Sequence, residues 1–242
     1  MALPKLVTPT YDVVLPSKKE VIKVRPFLMK EEKVLLMAAE GGEKTDMIDA
    51  IRQLLSGCIL TDKIVIEELP LFDIEYLFLK IRAKSVGETV SIVYGHKDGV
   101  NNKGDQCNKA TTITINLEEI EVVMTKDHSP KIQLTDNIGM VLDYPKIEIM
   151  GHIKESVTYE DGLKMIANSV SMVWEGDDIS EKGSFTEKEM IEFLESLDKD
   201  QFGKVERFFE TMPRVKHETS YICEECGEEV KIILEGIDDF FG

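Results

Sequence analysis

Tyr11-Asp12-Val13-Val14-Leu15-Pro16-Ser17-Lys18-Lys19-Glu20-Val21-Ile22-Lys23-Val24 is the stretch on which the fold turns. Side chains alternate from Tyr11 to Leu15, Pro16-Ser17-Lys18-Lys19 reverses the chain, and alternation resumes from Val21 to Val24. That is the pattern of a β-hairpin. Pro26 ends it. From Met29 to Ala39 the apolar residues Val34, Leu35, Leu36, Ala38 and Ala39 take helical spacing, and Gly41-Gly42 stops the run. Asp46 is placed to cap a second helix reaching about Ile59. A short strand is expected at Ile64–Ile66. Asp73 opens a third helix with Ile74, Leu77, Phe78 and Ile81 on one face, and Gly87 closes it. Thr89–Tyr94 and Thr111–Leu117 read as a second hairpin around a polar loop.

The second half follows a similar order. Ile132-Gln133-Leu134-Thr135-Asp136-Asn137 resembles Val13-Val14-Leu15-Pro16-Ser17-Lys18, and Leu15 stands as far from Pro26 as Leu134 from Pro145. Ile147–Ile153 fits either helix or strand. Tyr159–Val173 reads as one helix, with Leu163, Ile166, Val170 and Val173 apolar. Phe185–Phe209 gives helical spacing twice. Ser220–Cys223 and Val230–Leu234 form a closing hairpin. One offset relates Leu15 to Leu134 and Cys107 to Cys226, and nearly the same offset relates Leu117 to Leu234. The expectation is an α+β protein of two similar lobes from an internal duplication, each hairpin–helices–hairpin with a zinc-knuckle-like tip. The lobes would span 1–124 and 132–242, with a polar linker at 125–131.

Composition narrows the class of partner. The chain has 242 residues, 46 acidic and 29 basic, for a formal net charge of −17. Its 43% hydrophobic content is that of a globular protein. So negative a chain is a poor ligand for a phosphate backbone or an anionic membrane surface. Met1-Ala2-Leu3-Pro4-Lys5 shows no basic-then-apolar signal pattern, and no apolar run reaches membrane-spanning length. The expectation is a cytoplasmic protein whose partners are proteins.

One constellation carries chemistry. Cys223-Glu224-Glu225-Cys226-Gly227 lies between two strands, where two thiolates three positions apart converge on one ion and Gly227 relieves the turn. Two cysteines are half of a tetrahedral set. The matching tip of the first lobe supplies His96 and Cys107, so the expected ligands of one structural zinc are His96, Cys107, Cys223 and Cys226. His217, six residues before Cys223, is the competing ligand. Cys58 falls on an apolar helical stripe (Ile51, Leu54, Leu55, Cys58, Ile59) and reads as core.

Catalytic patterns are missing. The chain has no glycine-rich phosphate loop, no Gly-x-Ser-x-Gly elbow and no His-Glu-x-x-His pair. His128 and His152 stand alone. The acidic groups Glu118-Glu119-Glu121, Glu175-Gly176-Asp177-Asp178 and Asp238-Asp239 have the spacing of solvated faces or caps. Phe240-Phe241 near the end is either tucked into a core or offered to a partner, and is carried forward as a candidate partner-binding pair. Two rival functions remain open. A zinc-ribbon regulator binding nucleic acid calls for basic residues around the knuckle, where Glu224, Glu225, Glu228 and Glu229 stand. A metal-dependent hydrolase calls for an open metal position.

Several landmarks occur together. Arg25-Pro26-Phe27-Leu28-Met29-Lys30-Glu31-Glu32-Lys33 follows the first hairpin. Asp73 with Leu77-Phe78 leads to Ile81-Arg82 and Ser85-Val86-Gly87. Leu194 to Leu197, Phe208-Phe209, Pro213, His217, the Cys223–Cys226 knuckle and Phe240-Phe241 follow in that order. In this the chain resembles the baseplate hub subunit and hub assembly protein family of T-even-type contractile-tailed bacteriophages. In that family the first knuckle tends to carry a second cysteine pair, where this chain has His96, a long insertion and only Cys107. The resemblance implies a non-enzymatic protein of tail morphogenesis that binds other hub and tail proteins. It would work in the host cytoplasm during assembly or in the virion baseplate.

Overall fold

The computed structural model describes residues 6–96, 99, 106–107, 109–148 and 158–241, apart from the side chains of Lys44, Asp238 and Phe241. The opening stretch folds as expected. Strands β1 (Tyr11–Val14) and β2 (Val21–Val24) pair antiparallel, Tyr11 opposite Val24 and Val14 opposite Val21. Ile22 and Val24 point inward and Lys23 outward, so alternation becomes burial. The turn is held by Asp73, whose carboxylate accepts the Ser17 amide at 3.1 Å and the Ser17 hydroxyl.

Helix α1 (Met29–Gly41) has no side-chain N-cap, because its flanking residue is Leu28. Glu31 compensates: its carboxylate accepts the Leu28 amide and pairs with Arg25, both at 2.8 Å. Gly42, at φ +72, ends the helix in the left-handed conformation. Helix α2 (Lys44–Cys58) begins two residues before Asp46, which sits in its first turn instead of capping it. It buries Ile51, Leu54, Leu55 and Cys58 at i, i+3, i+4 and i+7. Cys58 is thus core, and burial pushes its thiol up to about 11. The expected strand at Ile64–Ile66 is absent: a 3-10 turn at Ile66–Glu68 follows, since three apolar residues ahead of Glu67-Glu68 find no strand to pair with. Helix α3 (Leu71–Ser85) is buried on most sides and keeps even Lys80 inside, where its ammonium donates to the carbonyls of Leu117 and Glu118.

Contacts divide the chain into two bodies. The first comprises 1–66, 72–123 and 214–242; the second comprises 67–71 and 124–213. In the first body, β3 (Thr89–Gly95) and β4 (Ala110–Asn116) form the second hairpin. Strand β5 (Glu121–Val123) pairs with β10 (Arg214–Ile222), which pairs with β11 (Glu229–Glu235). Leu79, Ile115, Leu117, Ile120, Val215, Ile232 and Leu234 make a shared core. The closing hairpin therefore belongs to the first body, not to a lobe spanning 132–242. The reason is the ladder: Arg214–Lys216 add to β5, across some ninety residues of intervening chain.

The second body is a four-stranded antiparallel sheet, β6 (Lys131–Gln133), β7 (Ile138–Leu142), β8 (Val170–Glu175) and β9 (Asp178–Glu181), in that order. Helices α4 (Tyr159–Ser169), α5 (Glu187–Glu195) and α6 (Lys199–Thr211) cover one face. Each helix starts on a capping box: Thr158 with Asp161, Thr186 with Glu189, Asp198 with Gln201. Ile132, Met140, Leu142 and Val170 of the sheet pack against Leu163, Ile166, Met190, Leu194, Val205 and Phe208. The helix expected to run through Val173 stops at Ser169, because Val170 and Val173 are needed on the core face of β8. Glu175–Asp178 is the β8–β9 turn, with Gly176 at φ +60. The second half thus sets a strand pair, β8 and β9, between its helices, and does not repeat the first element for element.

The segment 125–131 is not a free linker. The imidazole of His128 bridges Thr211 Oγ1 and Tyr144 Oη, each at 3.0 Å, and packs on Phe208. Residues 149–153 of the ambiguous Ile147–Ile153 stretch, and with them His152, lie outside the described residues. A short helix α7 (Asp238–Phe241) ends the chain.

Candidate metal centre

Two hairpin tips of the first body meet. At the first, His96 follows β3 and Cys107 precedes β4; the His96 amide donates to the Lys109 carbonyl at 3.0 Å and the Cys107 amide to the Gly99 carbonyl at 2.7 Å. At the second, the Cys223 amide donates to the Glu228 carbonyl, and the Gly227 amide returns to the Cys223 carbonyl, both at 2.8 Å. Gly227 takes φ +75 there, which a Cβ would strain. Main-chain bonds thus aim the Cys-x-x-Cys sulfurs, and β-pairing on either side holds the loops.

The four expected ligands converge. The ligand atoms of His96, Cys107, Cys223 and Cys226 all lie within 4.8 Å of one another. Cys107 Sγ is 3.6 Å from Cys223 Sγ, and Cys226 Sγ is 3.4 Å from His96 Nδ1. All four cysteines of the chain are free thiols, and 3.6 Å is far beyond a disulfide bond. A tetrahedral zinc with bonds of about 2.3 Å to sulfur and about 2.0 Å to nitrogen would space two sulfurs about 3.8 Å apart, and sulfur and nitrogen about 3.5 Å. The Cys107–Cys223 and His96–Cys226 spacings match, and three thiols with one imidazole are donors that zinc accepts. His96, Cys107 and Cys223 are buried and Cys226 is partly exposed.

The electrostatics favour a cation. The amides of Cys226 and then the His96 side chain draw the Cys223 thiol down to about 6. The main chain at Lys109 pulls Cys107 the same way, but burial and the neighbouring Cys223 and Cys226 outweigh it and leave Cys107 at about 11. Three sulfurs packed this closely resist carrying three negative charges without a positive ion between them.

Two residues complete the site that the ligand spacing did not reveal. Glu228 places Oε2 at 3.5 Å from His96 Nε2, on the far edge of the ring from Cys226. A carboxylate there orients the imidazole and fixes its tautomer. Gly99 presses against the same ring, and a Cβ at that position would enter it. The only hints in the sequence are that Glu228 directly follows Gly227 and that Gly99 comes three residues after His96.

The remaining candidates separate. His217 lies in the β10 ladder opposite Leu234 and outside the cluster. Phe240 is 0% exposed and packs among Leu79, Val215 and Leu234, so it is not offered to a partner. Gly236, at φ +73, turns the chain after β11, and Asp239 accepts the Glu235 amide, which folds Phe240 inward. The side chain of Phe241 lies outside the described residues. Glu118, half-buried, pairs with Lys84, and the exposed Glu119 accepts from Asn116. Among the described residues, His96, Cys107, Cys223 and Cys226 are the one group with a metal-binding arrangement, and no helix is long and apolar enough to cross a membrane.

No curated protein and no solved structure matches the chain. A family model does match, that of the T4 bacteriophage base plate protein, over residues 8–242. That span takes in both bodies, both hairpin tips and the buried C-terminal turn. The chain belongs to the T4 bacteriophage base plate protein family.

Proposed function

We propose that this chain is a non-enzymatic component or assembly factor of the baseplate hub, acting by protein–protein binding as the contractile tail is built. The observation that carries this reading is the family match across nearly the whole chain. The acidic surface supports it, since a net charge of −17 suits docking on other proteins without adhering to DNA. On this reading the protein acts in the host cytoplasm and at the tail baseplate.

His96, Cys107, Cys223 and Cys226 hold one structural zinc. Four protein ligands fill a tetrahedral shell and leave no position for water or substrate, which favours a structural role over hydrolysis. When bound, zinc supplies a cross-link whose binding free energy adds to folding. The chain's own residues do the positioning. Main-chain bonds aim the sulfurs, Glu228 orients the imidazole, and the site ties the β3–β4 tip to a hairpin more than a hundred residues further along. Glu224, Glu225, Glu228 and Glu229 beside the knuckle speak against a nucleic-acid ribbon.

Two measurements test this. Metal analysis of the purified chain, with native mass before and after chelation, should find one zinc per chain and loss of fold on its removal. Metal-free protein with an unchanged fold refutes the zinc. A phage lacking the gene should fail to complete baseplates and be rescued by the wild-type chain; normal tails without it refute the hub role.

A further inference from the structure

Among the described residues, the helices of the second body pack on one face of its sheet. On the other face Trp174, the chain's single tryptophan, lies across Gly139, where a Cβ would enter its ring. Lys131 closes over the ring at 4.9 Å from its centroid. Ile179, next to Trp174 across the ladder, is 61% exposed, and Met172 and Val141 continue the apolar face in the neighbouring register. An aromatic anchor with Met and Ile beside it is the composition of an interface centre, not of a solvated sheet.

The edge of this face is open among the described residues. Strand β9 pairs with β8 on one side and with no strand on the other among the described residues. Its rim is acidic. Glu175, Asp177, Asp178 and Glu181 are all exposed, and none makes an ion pair among the described residues. Like charges along a free edge keep two copies of this chain apart. The same charges attract a basic strand.

We infer that β9 is a docking edge, to which a basic strand of another tail protein adds, laying an apolar side chain beside Ile179 and Trp174 and its cations, on the opposite face, against Asp178. Main-chain hydrogen bonds supply the affinity in this mode, and alternate side chains the specificity. The identity of the partner as a tail protein rests on the baseplate reading; the chemistry of the surface does not.

Trp174 makes the test direct, because the intrinsic tryptophan fluorescence of the full chain reports this face alone. The probe is a blocked peptide alternating Lys and Val, with a peptide alternating Glu and Val as control. The expected result is a saturable blue shift with the basic peptide, slowed amide exchange across 178–181, and no response to the acidic one. Ile179→Asp, at an exposed position, should weaken binding about tenfold or more. No shift, or an equal shift in Ile179→Asp, overturns the inference. Tail intermediates from infected cells separate the two readings. Incorporation of Ile179→Asp at the wild-type level overturns the docking edge and leaves the baseplate reading standing. Absence of the wild-type chain from those intermediates refutes the baseplate reading, while the titration still decides the edge.

Discussion

Glu228 Oε2 stands 3.5 Å from Nε2 of His96, and the opposite ring nitrogen, Nδ1, stands 3.4 Å from Cys226 Sγ. The imidazole is therefore held between a carboxylate and a thiol, with its two nitrogens assigned different tasks. Glu228→Gln should keep the fold and lower zinc affinity about 10–100-fold. Competition with a chromophoric chelator measures this. Unchanged affinity would remove Glu228 from the site.

Gly99→Ala acts on the same ring. The added Cβ would stand 2.9 Å from both His96 Nε2 and Glu228 Oε2, so the ring or the carboxylate must shift. The expected outcome is a chain that binds zinc more weakly than wild type and melts lower when loaded. Equal zinc affinity and equal loaded melting temperatures in the two proteins would show that His96 is not a ligand.

Glu31 makes stability depend on pH. Burial alone would raise its carboxyl, but Arg25, the Leu28 amide and Lys30 outweigh it and hold the group at about 2. A carboxyl lowered on folding contributes stability above its ordinary value of 4.5, and that contribution is lost as pH falls from there toward 2. Glu31→Gln leaves the largely buried Arg25 without its partner and should cost about 2–4 kcal/mol at pH 7. Denaturant unfolding of both proteins from pH 7 to pH 2.5 should show the difference shrinking below about pH 4.5. A constant difference would mean that the Arg25–Glu31 pair is not its source.

Gly139→Ala tests the packing of the single tryptophan. Its Cβ would enter the Trp174 ring and approach the Ile132 carbonyl to 2.6 Å. Trp174 must then leave the sheet surface, at a cost of about 1–3 kcal/mol. Red-shifted emission and a lower unfolding midpoint are expected; unchanged emission would show that the ring does not lie on Gly139.

Phe240→Ala should behave as a core truncation, destabilising by about 3–5 kcal/mol although only Phe241 and Gly242 follow it in the sequence. Thermal unfolding measures it. A near-neutral effect would return Phe240 to the surface.

Much of this was legible in the residues. Alternation marked the β1–β2, β3–β4 and β10–β11 hairpins because one face of each is buried and the other wet. The helical stripe through Ile51, Leu54, Leu55 and Cys58 was equally plain. Val170–Glu175 was not, since four apolar residues after a helix continue its pattern as readily as they start a strand. Only the vacancy between β7 and β9 made them β8. The site shows the same division. His96, Cys107, Cys223 and Cys226 were picked out by donor type and hairpin position, as tips of two equivalent lobes. They come together for a different reason: both hairpins lie in one body, joined through a shared core of Leu117, Ile120, Val215 and Ile232.

Local spacing, set by the periods of helix and strand, determined the elements, the half-site at Cys223 and Cys226, and the family landmarks. The tertiary structure alone decided which distant segments share a body, that Phe240 turns inward, and that Trp174 faces outward over Gly139. Those outcomes depend on burial and strand pairing between residues far apart in the chain, and no local pattern encodes such partners.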